Sequence, residues 1–310
     1  MGTKRRLAGV LPLLLTWLLV GCASPRPSAE AAGRLPATAY IAGVPFHGQR
    51  DYQCGPASLA MVLNASGVRI GVDQLIPQVF VPGRSGSVQP EMLSTVRRHG
   101  RISYPLTGSL DVLLTEVAAD HPVVVLQNLS LPRWPLWHYA VVIGYDQERD
   151  QLLLHSGEQS HQPMAMGRFD TTWARGGRWA MVALPPGQLP ETITAQQATE
   201  SIAAFEPMAG AEAALPAWQA LVRRWPTHAM GWFALGNALY ATGKQQAAID
   251  AFRQATEQAP DLAVAWLNLG LAQAAQEQPQ AAAHSLHRAA ALPGPWQSHA
   301  RQALQQLGRD

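Results

Sequence analysis

One cysteine stands where its thiol could act as a nucleophile. Cys54 is followed by Gly55, Pro56 and residues 57–63, whose composition predicts a helix that begins near the cysteine. The start of a helix carries unpaired backbone N–H groups and partial positive charge. We expect this environment to lower the pKa of the Cys54 thiol and to stabilise an oxyanion on a bound carbonyl. The alternative is a small buried cysteine, since free cysteines are often buried.

Two further residues supply groups that a thiol nucleophile needs. His138 opens an apolar segment at 138–145 that predicts a strand, and a histidine at the rim of a sheet is well placed to act as a general base. Gln49 precedes Cys54 closely enough for its amide to be a second oxyanion donor if the chain loops back. A lone histidine near aromatic residues is otherwise a structural group.

The segments around these residues resemble the bacteriocin-processing cysteine peptidases, the papain-like enzymes that cut after double-glycine leaders. The resemblance rests on Val-Pro-Phe at 44–46, Tyr-Gln-Cys-Gly-Pro-Ala at 52–57 and His-Tyr-Ala-Val-Val-Ile-Gly-Tyr-Asp at 138–146. It covers about half of the chain. It implies that Cys54 attacks a peptide carbonyl, that His138 transfers the proton, and that Gln49 and the Cys54 amide hold the oxyanion.

The resemblance also implies an aspartate that orients the histidine, and the sequence lacks one at that place. Pairing the strand of His138 with the next strand, across the polar turn between them, puts Leu154, His155 or Ser156 opposite His138. We predict His155 as the orienting residue, with Ser156 as the next candidate. Neither stabilises an imidazolium as a carboxylate does. Further candidates are Asp146 and Asp150 in the turn, Asp170 on a returning loop, and Asn128.

Hydrophobic periodicity predicts that helices come first and strands follow in residues 39–187. The expected helices are at 54–63, 89–100 and 110–119, and the expected strands at 40–46, 122–126, 138–145, 151–155 and 178–184. Helices followed by strands indicate an α+β domain rather than alternating βαβ units. With the resemblance, this predicts a papain-like cysteine peptidase core.

A repeat with a period of about 34 residues follows the Pro-rich linker at 185–190, and it resembles tetratricopeptide repeats. Trp232, Leu235 and Gly236 recur as Trp266, Leu269 and Gly270. We predict an all-α tetratricopeptide repeat domain at 192–310, with two clear units, a degenerate unit before them and a capping helix at 296–307. The glycines allow close helix contact, and the concave face is expected to bind a peptide or protein partner.

The N-terminus has the layout of a targeting segment. Lys4, Arg5 and Arg6 precede an apolar stretch, and Leu-Val-Gly-Cys at 19–22 resembles a bacterial lipoprotein cleavage box. The resemblance implies a signal peptide at 1–22, acylation of Cys22 and a lipid anchor in the outer membrane, facing the periplasm. Residues 23–38 are expected to be a flexible linker. An ordinary secretory signal is the alternative.

The composition argues against several other function classes. The net charge is +2 and charged residues are sparse at 14%, which does not favour a nucleic-acid partner. His155 and His161 lack a third ligand at metal-site spacing, so we predict no metal and no cofactor.

These observations predict a membrane-anchored periplasmic cysteine peptidase of the double-glycine leader type, whose repeats recruit substrate or a protein partner. The missing carboxylate leaves a second interpretation open, in which a weak or inactive core is a peptide-binding or protein-binding scaffold. A third, cell-wall amide cleavage or transpeptidation, would use the same nucleophile.

Overall fold

The computed structural model describes residues 27–48, 53–81, 83 and 86–308. Cys22 and Gln49, predicted as the lipidated residue and as an oxyanion donor, lie outside this part of the chain. Within these residues, no helix is both long enough and apolar enough to cross a membrane.

The first part of the chain combines helices with antiparallel strands. In chain order the elements are α1 (Ala29–Arg34), β1 (Thr38–Tyr40), α2 (Cys54–Ala65), α3 (Val72–Val79), β2 (Phe80–Val81), β3 (Gly86–Ser87), α4 (Gln89–Arg98), β4 (Ile102–Pro105), α5 (Leu110–Ala118), β5 (Val123–Asn128), β6 (Trp137–Asp146), β7 (Gln151–Ser156), β8 (Gln159–Ala165), α6 (Met166–Arg175) and β9 (Ala180–Leu184).

Seven of the nine described strands form one sheet, in the order β4-β9-β5-β6-β7-β8, with β1 paired to β6, and β2 and β3 form a separate two-stranded sheet. The pairings are antiparallel. All six residues of β5 are buried, as expected for a β-branched apolar run at the centre of a sheet. The predicted α+β architecture is therefore confirmed.

Six elements of this part were not predicted, namely α1, β2, β3, β4, β8 and α6, and α1 lies in the stretch expected to be a flexible linker. Strand β8 reads Gln-Ser-His-Gln-Pro-Met-Ala and is mostly exposed, because it lies at the sheet edge and needs no apolar alternation. The strand predicted at 40–46 is wrong, since β1 ends at Tyr40 and the following residues are irregular up to residue 48. Pro45 has no N–H to give to a sheet ladder, which is consistent with this early end.

Helix α2 runs into the interior of the protein. Its residues from Gly55 to Leu63 are buried on every side, between the sheet and helices α3 and α4. Pro56 lies in the first turn, where its missing N–H leaves no helical hydrogen bond unmade. A Cβ on Gly55 would overlap Ser87 of β3, so the glycine allows the helix start to approach that strand. These contacts fix Cys54 at the mouth of a buried helix.

The second part of the chain is helical. Its helices are α7 (Ala195–Ala209), α8 (Ala211–Arg224), α9 (Ala229–Ala241), α10 (Gln245–Gln258), α11 (Ala263–Ala275), α12 (Pro279–Ala291) and α13 (Gln297–Leu307). They pack as successive antiparallel pairs. A Cβ on Gly236 would lie 2.5 Å from the Phe252 ring, and one on Gly270 would lie 2.7 Å from Leu286 Cγ, which confirms the predicted close helix contacts.

The helical part is docked on the sheet rather than tethered to it. Helix α7 packs on β4 and α4, and buried side chains form one continuous cluster from the sheet to the first repeat helices. The connecting chain is tied to α5 through Glu116, whose carboxylate accepts hydrogen bonds from the Thr192 amide, at 2.8 Å, and the Thr192 hydroxyl, at 2.6 Å. Burial alone would raise the pKa of Glu116, but its hydrogen bonds with His121 and Thr192 outweigh burial and the net pKa is lowered.

Gly176, which follows α6, allows this helix to end against β5. A Cβ at this position would overlap the carbonyl oxygen of Leu126, which is backbone and cannot rotate away. We expect Gly176→Ala to destabilise the protein by about 1–3 kcal/mol through overpacking, measured by chemical denaturation. Gly33→Ala is the control, because nothing lies within 4 Å of its Cβ. Equal stability of the two variants would contradict this packing.

Candidate active site

The sulfur of Cys54 lies against the beginning of strand β6. Cys54 is the first residue of α2 and is partly exposed. Its Sγ is hydrogen bonded to the backbone groups of Tyr139, Gly55 and Cys54 itself. Two of these belong to the first turn of α2, whose amides have no helical partner, and the third belongs to the residue after His138. The fold therefore brings the cysteine and the histidine segments together across 84 residues of sequence.

The expected lowering of the Cys54 pKa is wrong. Burial raises the pKa of the thiol and outweighs the hydrogen bonds from the Tyr139, Gly55 and Cys54 backbone, each of which lowers it. The partial positive charge at a helix start lowers the pKa of a thiol, whereas removal of the thiolate from water raises it, and at Cys54 the second effect is the larger. Cys54 is therefore predominantly a thiol at neutral pH in the unliganded protein.

His138 lies near the start of β6, with its Nε2 2.9 Å from the hydroxyl oxygen of Ser156 at the end of β7. Burial lowers the pKa of His138 to about 4, so the imidazole is neutral at pH 7. If the Nε2–H donates to Ser156, the lone pair resides on Nδ1, which is then the atom able to accept a proton. Ser156, the second candidate for the orienting residue, thus makes the hydrogen bond.

His155 does not orient His138, which corrects the first choice made from the sequence. A register shift in the pairing of β6 with β7 puts Val141, not His138, opposite His155. Val141 and His138 are three residues apart, so their side chains, and hence those of His155 and His138, leave opposite faces of the sheet.

Both ring nitrogens of His155 are used elsewhere. Nε2 donates to the Val44 carbonyl at 3.1 Å, and Nδ1 accepts from the His161 amide at 3.3 Å. The ring also packs edge-on against Phe46, with 5.3 Å between centroids. Burial, the largest effect, and the neighbouring His161 lower the pKa of His155, although its hydrogen bond to Val44 raises it. His155 therefore fixes the segment at 44–46 that leads towards Cys54.

The other candidates are also engaged away from His138. Asp170 forms a two-pronged ion pair with Arg178. Asn128 uses its side-chain oxygen to accept the amides of Ser130 and Leu136, both at 3.0 Å, and so closes the loop before β6. Asp146 lies at the far end of β6, paired to Arg149. Asp150 ends the turn at that same far end. Among these candidates, only Ser156 is hydrogen bonded to His138.

Gln127 is a neighbour of the site that the sequence did not reveal. It lies directly opposite His138 in the pairing of β5 with β6, so both side chains leave the same face of the sheet. It is fully buried, its amide nitrogen donates to Thr172 at 2.7 Å, and its side-chain oxygen has no hydrogen-bond partner among the described residues. The only available signal was a polar residue ending the apolar run of β5. Gln127 is suited to hold the His138 side of the site in place.

Exposed tryptophans flank the His138 segment, one on the loop between β5 and β6 and one at the first residue of β6. Trp134 is 68% exposed and Trp137 is 53% exposed, whereas Trp173 is fully buried in the core. The two exposed rings are therefore available at the rim beside His138, and Trp173 is a core residue.

Comparison with known families supports the division seen in the fold. Residues 41–181 match the Peptidase_C39 like family, and residues 209–263 match the tetratricopeptide repeat family. The chain therefore contains a Peptidase C39-like domain followed by tetratricopeptide repeats. Comparison with curated protein sequences gives no match.

Solved structures similar to this chain fall into the same two groups. A putative C39-like peptidase from Bacillus anthracis is 19% identical, covers 47% of this chain and 97% of its own, and has a TM-score of 0.41. A double glycine motif protease from an AMS/PCAT transporter, solved with the leader peptide, is 20% identical, with 47% and 94% covered and a TM-score of 0.36. The TPR2B domain of yeast Sti1 is 20% identical, with 37% and 96% covered and a TM-score of 0.35.

The pKa directions at this site predict slow alkylation of the resting thiol. At pH 7.5 we expect iodoacetamide to modify Cys54 more slowly than free N-acetylcysteine, because burial raises the pKa of Cys54 and lowers the thiolate fraction. The rate should rise about tenfold per pH unit with no plateau below pH 9. Peptide mass spectrometry locates the label, and a plateau between pH 4 and pH 8 would instead reveal a preformed thiolate–imidazolium pair.

Proposed function

We propose that this protein is a thiol peptidase in which Cys54 attacks a peptide carbonyl and His138 transfers the proton. The observation that carries the proposal is the placement of the Cys54 sulfur, partly exposed and hydrogen bonded to the backbone of Tyr139, the residue that follows His138 in β6. The match of residues 41–181 to the Peptidase_C39 like family supports it.

The chemistry begins from a neutral pair. As Sγ forms a bond to the carbonyl carbon, its proton passes to Nδ1 of His138, and the amides of the first turn of α2 stabilise the carbonyl oxygen as it becomes negative. The imidazolium then protonates the leaving amine, which leaves an acyl-enzyme that water hydrolyses. Gln49 is the proposed side-chain donor to the same oxyanion.

Ser156 takes the position from which a third residue orients the histidine. A hydroxyl fixes the tautomer of His138, but it adds no negative charge to stabilise the imidazolium. Together with the low pKa of His138, this makes His138 a weak base at neutral pH. We infer a slow peptidase, or one that accelerates when bound substrate excludes water and aligns the pair.

A second candidate function is a peptide-binding domain without turnover. It is favoured by the hydroxyl of Ser156 in place of a carboxylate and by the raised pKa of Cys54. In either case the tetratricopeptide repeats are proposed to recruit a protein partner or substrate.

We also propose that the protein is held on the outer membrane, facing the periplasm, by acyl chains on Cys22. The support is the sequence before this residue, in which a basic segment, an apolar segment and Leu-Val-Gly-Cys follow one another. An anchored peptidase with peptide-recruiting repeats is suited to polypeptides that pass through or reside in the periplasm.

The peptidase proposal is tested with the full chain and its Cys54→Ala variant. Both are incubated with a library of secreted peptides, and products are identified by mass spectrometry. We expect products only with the intact thiol, and loss of all turnover in Cys54→Ala, because the nucleophile is removed. Peptides that bind both proteins but are cut by neither would establish the second candidate instead.

A carboxylate introduced at Ser156 should activate the pair. In Ser156→Asp, a negative charge within hydrogen-bond range of His138 should raise the His138 pKa by about 1–3 units and favour the thiolate–imidazolium form. We expect faster alkylation of Cys54 at pH 7.5 and a higher kcat/KM for any peptide that is cut. Ser156→Asn is the matched control, because it provides a hydrogen-bond acceptor without charge. Identical alkylation profiles of the two variants would contradict this role of the residue.

Replacing the proposed acylation site should release the protein from membranes. In Cys22→Ser we expect the protein in the soluble fraction after cell lysis, because a hydroxyl does not undergo the thiol acylation. The unchanged chain, fractionated in parallel, should sediment with outer membranes. Equal sedimentation of both forms would argue against the lipid anchor.

A further inference from the structure

A cleft of about 430 Å³ lies next to Ser156, the hydrogen-bond partner of His138. Ser156 forms part of its lining. The edge strand β8 contributes Gln162 and Met164, the loop after β5 contributes Leu129, and helix α6 forms the remaining wall. A peptide held for attack by Cys54 therefore has this cleft within reach on the His138 side.

Helix α6 presents a polar and cationic stripe to the cleft. Arg168, Thr171, Thr172 and Arg175 are spaced three, four and seven residues apart, which places them on one side of the helix. The opposite side, with Phe169 and Trp173, is buried in the core. The core contacts thus hold the helix so that both guanidinium groups face the same open space.

The positive charge of this cleft is not neutralised by the protein. No acidic side chain is among the lining residues. Within the described part of the chain, the Arg168 side chain makes no hydrogen bond or ion pair. The Arg175 guanidinium donates a single bond to the Ser130 carbonyl at 3.0 Å, which leaves its other N–H groups available. The one acidic residue of α6, Asp170, is buried and forms an ion pair with Arg178.

We propose that this cleft recognises a carboxylate of the peptide, either an acidic side chain or a free C-terminus, through Arg168 and Arg175. Guanidinium groups bind planar carboxylates by paired hydrogen bonds, and two of them on one helix face surround such a group from two sides. The hydroxyl of Thr171, between the two arginines, already donates its hydrogen to the Gly167 carbonyl at 2.8 Å, so the guanidinium groups are the donors offered to the carboxylate. The preferred ligand is thus a peptide with an acidic group near the bond presented to Cys54. This inference rests on the proposed peptide site but not on turnover.

The test uses binding, so that it does not depend on catalysis. Full-length Cys54→Ala protein is immobilised and exposed to a pool of amidated peptides in pairs that differ only by Glu or Gln at one position. Mass spectrometry measures the enrichment ratio of each pair. We expect at least one position at which Glu is enriched over Gln about fivefold to tenfold, and a smaller ratio at 0.5 M salt.

Variants of the two arginines decide where that preference arises. With Arg168→Gln and Arg175→Gln combined, we expect the ratio to fall to about one. Arg223→Gln is the matched control, because it removes an exposed arginine of α8 that does not line the cleft, and it should keep the preference.

A separate arm distinguishes the two sources of the carboxylate. Peptides with a free C-terminus are compared with amidated ones of the same sequence, and enrichment confined to the free form would identify the C-terminus as the ligand. A ratio of one for all pairs, including the free and amidated forms, would overturn the proposal, as would a preference that persists in the double variant. A preference observed without any cleavage by the unmodified chain would uphold this cleft and refute the peptidase proposal alone.

Discussion

The site depends on the packing of one helix end against one strand start. Helix α2 is buried along nearly its whole length, so its first residue cannot shift without disturbing the core. The Tyr139 backbone, at the start of β6, is hydrogen bonded to the Cys54 sulfur. This contact joins two segments far apart in sequence and brings the thiol and the unpaired amides of the helix start to the strand that carries His138. Every proposal about chemistry follows from that junction.

The burial that positions Cys54 and His138 also disfavours their charged forms. Removing water from Cys54 and His138 disfavours the charged form of each, so the resting pair is a thiol and a neutral imidazole. A carboxylate on the next strand would reverse this by stabilising the imidazolium, whereas Ser156 supplies only a hydrogen bond. The residue at that position therefore bears on the charge state of the His138 imidazole.

The repeats are fixed relative to the site by polar as well as apolar contacts. Glu116 binds the chain that connects the two parts, and Arg224 of α8 donates to the carbonyls of Pro190 and Glu191 in the same stretch. Because the connection is hydrogen bonded and α7 packs on β4, the repeats are held at a defined position relative to the peptidase-like domain. One continuous core extends from the sheet to the first repeat helices.

The sequence by itself determined the local features. It placed a helix after Cys54, a strand after His138 and the repeat register marked by Gly236 and Gly270, because composition, periodicity and spacing are properties of short segments. It missed β8, whose polar edge position leaves no periodic signal.

Only the tertiary structure decided which residues meet. The register shift between β6 and β7 moved His155 to the opposite face from His138, so that Ser156 became the partner instead. Only the fold put Gln127 opposite His138 and the arginines of α6 beside Ser156. It also decided the sign of the Cys54 pKa shift, because the degree of burial depends on every element packed around the thiol. The register between strands, the side of the sheet on which a side chain lies, and the burial of that side chain are all set by contacts distant in sequence. A shift of one residue in strand register reverses which side chains share a face of the sheet.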